Sequence, residues 1–185
     1  MFTNFNLQPS ETDLQNLAEQ YWQSAGEKEH QLEAAAYEAG AAIRQGEFTL
    51  ANLETIVRWK SERVVPYLIG NSDESIRAAL STVAAPETAT ETAVQALTSL
   101  RGVDIAIASA ILAAIYPERY AVLDCRALEA LGHARHDISF YAEYNRFIQK
   151  LVEHAATHPQ SNLPGPTPLH AMERALWQWA RNQGN

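Results

Sequence analysis

The stretch "SLRGVDIAIASAILAAIYPERYAVLDCRALEALG", Ser99 to Gly132, carries the clearest structural pattern in this sequence. A short turn with Gly102 precedes a predicted helix from Ile105 to Ile115. That helix is apolar on all sides except for Ser109, and such a helix is buried on all sides. We therefore expect it to lie at the centre of the fold. The residues predicted to be buried there are Val103, Ile107, Ile111 and Ile115.

Outward from this helix, the chain of 185 residues reads as one helical segment after another, with no convincing strand. Apolar residues make up 46% of it, and eight glycines and eight prolines are too few to favour disorder. The predicted fold class is all-α, a multi-helix domain over residues 1–185 with a buried central helix. We expect two lobes, one of residues 30–95 with the C-terminal helix and one of residues 88–160.

Composition excludes several classes of protein. No apolar run reaches the ~18–20 residues of a membrane span, and the N-terminus lacks the pattern of a signal peptide. Cys125 is the only cysteine, which excludes internal disulfides, a four-cysteine iron–sulfur cluster and a cysteine zinc site. His133 and His136 are the only close histidine pair and lack a convincing partner. We expect a cytoplasmic monomer without metal, cofactor or membrane contact.

The net charge of −8 is concentrated near the N-terminus. Residues 1–55 hold nine acidic residues against Lys28 and Arg44, a balance of −7. Nucleic-acid-binding proteins usually carry net positive charge. The charge therefore argues against a large non-specific DNA-binding surface and leaves room for a compact one built from a few arginines.

The segment "LRGVDIAIA", Leu100 to Ala108, has the pattern of a helix-hairpin-helix. Gly102 allows a positive φ in the turn, and Val103 is expected to fill the crease between the two helices. The amides at the start of the second helix would then point outward, where such groups bind phosphate. The predicted phosphate site consists of Gly102, Val103 and Asp104, with help from Arg101.

This stretch resembles the helix-hairpin-helix Gly/Pro-Asp superfamily of base-excision DNA glycosylases, the endonuclease III-like group. "LRGVD" stands where that family has Leu-Pro-Gly-Val-Gly, and "YAVLDCRAL" places Asp124 at the position of the catalytic aspartate. Ala106 and Asp124 are eighteen residues apart, the offset between the family's lysine and aspartate. The resemblance covers about 35 residues. It implies an all-α fold and a catalytic Asp124.

Three departures from the family pattern bear on the chemistry. Arg101 replaces the hairpin proline, and Asp104 replaces the second glycine. The Asp104 carboxylate can cap the helix, but it repels the phosphate, which Arg101 offsets. Ala106 replaces the lyase lysine, so the usual amine for a Schiff base is missing. Lys60 is the best-placed lysine if lyase chemistry exists.

Other candidate residues lie outside the motif, each with a structural alternative. Trp59, Lys60 and Arg63 are expected near a substrate pocket, where they would stack on a flipped base or bind a phosphate; the alternative is a half-buried Trp59 covered by an arginine stem. Arg126 would contact the DNA backbone, or form a surface salt bridge with a glutamate. Tyr141 would line the pocket or belong to the core.

The resulting prediction is a monofunctional DNA-glycosylase-like hydrolase that excises a damaged or modified base flipped out of double-stranded DNA. Asp124 would stabilise positive charge on the sugar or orient the attacking water. Three alternatives remain. Asp124 is a plain helix cap; the chain is a catalytically inactive helix-hairpin-helix module that binds DNA or a protein; or the protein has a pocket for a nucleoside-like small molecule.

Overall fold

A computed structural model describes residues 5–133, 137–156 and 163–184. All regular secondary structure within these ranges is helical, without a strand, so the predicted all-α class is confirmed. The helices are α1 (Leu14–Ser24), α2 (Glu27–Arg44), α3 (Leu50–Ser61), α4 (Val65–Leu68), α5 (Asp73–Ala84), α6 (Thr90–Thr98), α7 (Ile105–Ile115), α8 (Cys125–Glu129), α9 (Ile138–Ala156) and α10 (Pro168–Asn182). Single 3₁₀ turns, Glu11–Asp13 and Glu62–Val64, precede α1 and α4.

The chain divides into two compact units. The first unit consists of residues 1–25 and 118–185, and the second consists of residues 26–117. The first unit is therefore built from both ends of the chain, whereas the second is one continuous segment.

The second unit is organised around α7, as its composition predicts. Helices α2, α3 and α6 pack against it, and every residue from Ile107 to Ile115 is buried. The predicted burial of Val103, Ile107, Ile111 and Ile115 is confirmed. At Gly40, α2 lies so close to α7 that a Cβ atom would be 2.0 Å from the Ala114 carbonyl oxygen. Only glycine fits this contact.

The first unit is organised around α10, which packs on α1, α8 and α9. The apolar side chains that α1 buries are Leu14, Leu17 and Ala18. The lobes predicted from sequence divide the chain differently, because they placed the C-terminal helix with residues 30–95. Helical periodicity shows that α10 has an apolar face but not which helix covers it, and the N-terminal helix α1 does so here. No helix in the described ranges is both long and apolar enough to span a bilayer.

Candidate functional site

Asp124 lies in the first unit at the start of α8. Its backbone is extended, and its Oδ1 atom accepts a hydrogen bond from the Arg126 N–H at 3.0 Å. The side chain is half-buried. The residue therefore acts as the N-cap of α8, and its carboxylate is held in one orientation by the backbone of the helix that it caps.

The segment before Asp124 is irregular and buried, and side chains of α9 hold it in place. Residues 120–123 are all buried without regular secondary structure. The Tyr141 hydroxyl donates to the Ala121 carbonyl at 3.1 Å, and the Tyr144 hydroxyl donates to the Val122 carbonyl at 2.9 Å. Buried carbonyls need such partners, so both phenols fix the backbone that leads to Asp124.

Two amide side chains of α9 complete this arrangement. The Asn145 side chain accepts the Ala121 N–H at 2.8 Å and donates to the Arg119 carbonyl at 2.9 Å. Gln149 donates to the same carbonyl at 2.9 Å. One helix thus anchors successive backbone groups of the segment that precedes Asp124.

Tyr141, which we expected either in a pocket or in the core, is fully buried. Burial raises the pKa of the Tyr141 phenol well above its usual range, and the neighbouring Tyr120 contributes. The pKa of Tyr144 is raised first by burial and then by the carboxylates of Glu173 and Asp124, with Arg174 acting in the opposite direction. Both phenols are therefore neutral hydrogen-bond donors over the ordinary pH range.

Glu173 is a site residue that sequence reasoning missed. It is fully buried on α10, with its Oε2 atom 3.5 Å from the Arg174 Nε and 3.9 Å from the His170 Nδ1. The Glu173 carboxylate contributes to the raised pKa of Tyr144, as does Asp124. The available signal was its position on the apolar face of α10, between Met172 and Leu176, where a carboxylate is unexpected.

An arginine and aromatic cluster lies next to Asp124. The Arg126 guanidinium lies over the Trp177 ring, 4.8 Å from its centroid, and that of Arg181 lies over the same ring at 5.5 Å. Tyr21 of α1 contacts Trp177 edge-on at 5.5 Å. Within the described residues Arg126 forms no salt bridge with a glutamate, so it takes part in a stacked arrangement instead of the salt bridge considered above.

The hairpin turn between α6 and α7 belongs to the second unit. Gly102 has the predicted positive φ, +85°, and a Cβ atom there would lie 2.8 Å from the Cβ of Tyr67. The Asp104 Oδ1 atom accepts the Ile107 N–H at 2.8 Å, which makes Asp104 the N-cap of α7. The carboxylate therefore occupies one of the amides that the hairpin would otherwise present to a phosphate.

Arg101 is exposed at the tip of this turn. Its backbone N–H donates to the Asn71 Oδ1 at 2.8 Å, and the Asn71 Nδ2 donates to its carbonyl at 3.1 Å. Asn71 also donates to the Leu68 carbonyl at 3.0 Å. The turn is therefore anchored to the chain that follows α4.

The predicted group of Trp59, Lys60 and Arg63 is divided by a helix end. Trp59 and Lys60 lie on α3, and Trp59 is half-buried with its ring 5.7 Å from that of Tyr37. Arg63 is exposed in the 3₁₀ turn after α3. Although Trp59 and Arg63 are four residues apart, they do not share the face of one helix, because α3 ends at Ser61.

The candidate residues fall into both units. Asp124, Arg126 and Tyr141 belong to the first, whereas the hairpin residues and the Trp59 group belong to the second.

Comparisons with protein-family models, curated proteins and solved structures found no match. The family resemblance consequently depends on the hairpin pattern and on Asp124 alone.

Two further features bear on where a ligand could bind. No three His, Cys, Asp or Glu side chains in the described parts of the chain are grouped to hold a metal ion; His136 lies outside those parts.

The first unit has a surface cleft of about 370 Å³, which is lined by Glu118, Gln149, Val152, Glu153, Pro168 and Leu169. None of the predicted site residues lines it.

Proposed function

We propose that this protein is a monofunctional DNA N-glycosylase that uses Asp124. The observation that carries the proposal is a half-buried carboxylate at the end of a buried segment that one helix fixes through several side-chain hydrogen bonds. A charge held in place before the reaction stabilises a transition state more than a mobile charge does, because no reorganisation is needed. This arrangement suits a reaction in which positive charge develops beside the carboxylate.

The proposed reaction is hydrolysis of the bond between the sugar and a flipped base. Water attacks the sugar C1′ as the N-glycosidic bond breaks, and the base leaves with the bonding electron pair. The proton lost by the water balances the charge on the departing base, and an abasic site remains. The Asp124 carboxylate stabilises the positive charge on the sugar and orients the water.

The absence of an amine at Ala106 supports hydrolysis in preference to lyase chemistry. A Schiff base requires a lysine or another amine as the nucleophile, and position 106 offers only a methyl group. The DNA strand would therefore stay intact after the base is released.

The experiment that tests the proposal is a panel of duplexes, each with one modified base, scored for free base and for abasic sites. Asp124→Asn retains a comparable N-cap, so stability changes by no more than about 1 kcal/mol. The rate of base release should fall by ~10²–10³ because one placed charge is lost. Asp137→Asn is the matched control, since the Asp137 Oδ1 accepts the Phe140 N–H at the start of α9. Full activity of Asp124→Asn would contradict the mechanism.

A second candidate is a non-catalytic DNA-binding module. The hydrogen bond between Asp124 and the Arg126 N–H favours it, because an N-cap role accounts for this aspartate without any catalysis. In this case the protein binds duplexes, and no member of the panel releases a base.

A further inference from the structure

We infer that Arg126, Trp177 and Arg181 form a phosphate-binding surface for the nucleic acid beside Asp124. This inference rests on the proposed function and assigns part of its substrate contact to the first unit. The surface is made by residues of that unit that are far apart in the sequence.

Both guanidinium groups are held against an aromatic ring before any anion binds. Each lies over the indole ring of Trp177, at 4.8 Å for Arg126 and 5.5 Å for Arg181. The ring is itself held by an edge-on contact with Tyr21. A cation–π contact of this kind restrains the guanidinium, and its N–H donors that do not face the ring remain available. Less conformational freedom is then lost when an anion binds.

The charges of the two arginines are available for a partner. Among the described residues, neither Arg126 nor Arg181 forms an ion pair with a carboxylate, and the Arg126 side chain donates no hydrogen bond there. Arg181 donates one hydrogen bond, a long one of 3.4 Å to the Ser24 hydroxyl. Each guanidinium carries five N–H donors. Arg174 differs, since it lies over Tyr21 but has its Nε 3.5 Å from the Glu173 carboxylate.

The chemistry of this surface fits a phosphodiester backbone. Guanidinium groups bind phosphate oxygens in pairs of parallel hydrogen bonds, and phosphate contacts set the position of a protein on DNA. The Arg126 backbone N–H bonds to the Asp124 carboxylate, so a phosphate bound by the Arg126 side chain is no farther from that carboxylate than one arginine side chain can reach. A phosphate next to the reacting nucleotide meets this requirement.

The test measures the affinity of a short duplex with a tetrahydrofuran abasic-site analogue at several salt concentrations, by fluorescence anisotropy. Arg126→Met and Arg181→Met keep an apolar stem on Trp177 and remove the charge. Each should reduce the slope of log affinity against log salt by about 0.9, the value for one phosphate contact. Arg77→Met, at an exposed arginine on α5, is the control and should leave the slope unchanged. Arg126→Lys keeps the charge and should retain most of the slope.

The outcomes separate this inference from the proposed function. Unchanged slopes in Arg126→Met and Arg181→Met overturn the inference, even if Asp124→Asn abolishes base release. Reduced slopes without base release from any duplex support the surface and overturn the glycosylase proposal. Binding of polyglutamate through the same arginines, without duplex binding, would assign the surface to an acidic protein and overturn the nucleic-acid assignment.

Discussion

Asn71 and Arg101 form a reciprocal pair, in which one asparagine side chain satisfies both backbone groups of the arginine. The Arg101 N–H donates to the Asn71 Oδ1 at 2.8 Å, and the Asn71 Nδ2 donates to the Arg101 carbonyl at 3.1 Å. The two residues are 30 positions apart. The conformation of the hairpin turn therefore depends on a contact from outside the hairpin.

Removing this contact should destabilise the second unit. Asn71→Ala removes two exposed hydrogen bonds to Arg101 and a partly buried one to the Leu68 carbonyl. We expect a loss of about 0.5–1.5 kcal/mol in the free energy of unfolding for each bond. Urea denaturation followed by circular dichroism measures it. Gln31→Ala is the control, because its exposed hydrogen bond joins two side chains, Gln31 and Glu27; that variant should lose no more than about 0.5 kcal/mol. Equal losses would show that Asn71 does not anchor the turn.

Gly102→Ala should destabilise the folded protein more than the same change at another glycine with positive φ. Gly46 has a φ of +96° with no atom within 4 Å of the added Cβ, so Gly46→Ala costs only the backbone term of about 1–2 kcal/mol. At Gly102 the new Cβ also meets the Tyr67 Cβ at 2.8 Å, which adds about 1–3 kcal/mol. Thermal unfolding of both variants compares the two costs. Tyr67→Ala keeps its Cβ and should not restore the stability of Gly102→Ala.

Asp104→Asn separates capping from phosphate repulsion in the hairpin. Asparagine retains the cap of α7, so stability should change by less than about 1 kcal/mol, the size of the helix-dipole term. If the hairpin binds phosphate, removing the charge should tighten duplex binding about two- to fivefold at low salt. Arg101→Glu should weaken binding, and both effects should fade at high salt. Unchanged affinity in both variants would make the hairpin a purely structural turn.

Borohydride should trap no covalent protein–DNA adduct on any duplex that the protein processes. Position 106 carries alanine, so the amine that forms an imine in the lysine-bearing enzymes is missing. Gel electrophoresis after reduction provides the measurement. A trapped adduct that disappears in Lys60→Ala would place the chemistry at Lys60 instead.

Stability should fall at alkaline pH because Tyr141 and Tyr144 are buried as neutral phenols. Their pKa values in the folded protein are raised well above the usual value of about 10. Above pH ~10 the unfolded chain loses these protons and the folded chain keeps them, so stability decreases by about 1.4 kcal/mol per pH unit for each tyrosine. Urea unfolding from pH 8 to 11 checks the slope. Tyr144→Phe should make it shallower, and an unchanged slope in that variant would contradict the prediction.

Several features of this protein follow from the sequence by itself. The burial of α7 follows from its composition, since a helix without a polar face cannot be placed at a surface. The positive φ of Gly102 and the capping roles of Asp104 and Asp124 follow from neighbours within a few residues. These features were predictable because turns, caps and helical periodicity are local properties of the chain.

The remaining features were decided by tertiary structure. Helix α10 packs with α1, Glu173 is buried near Tyr144, and Arg126 stacks on Trp177. Each of these contacts joins segments that are distant in the sequence. Periodicity shows which face of a helix is apolar, but only packing determines which side chains meet across it. For that reason Asp124 could be proposed as a candidate from its motif, whereas the groups that hold and surround it were visible only in the folded chain.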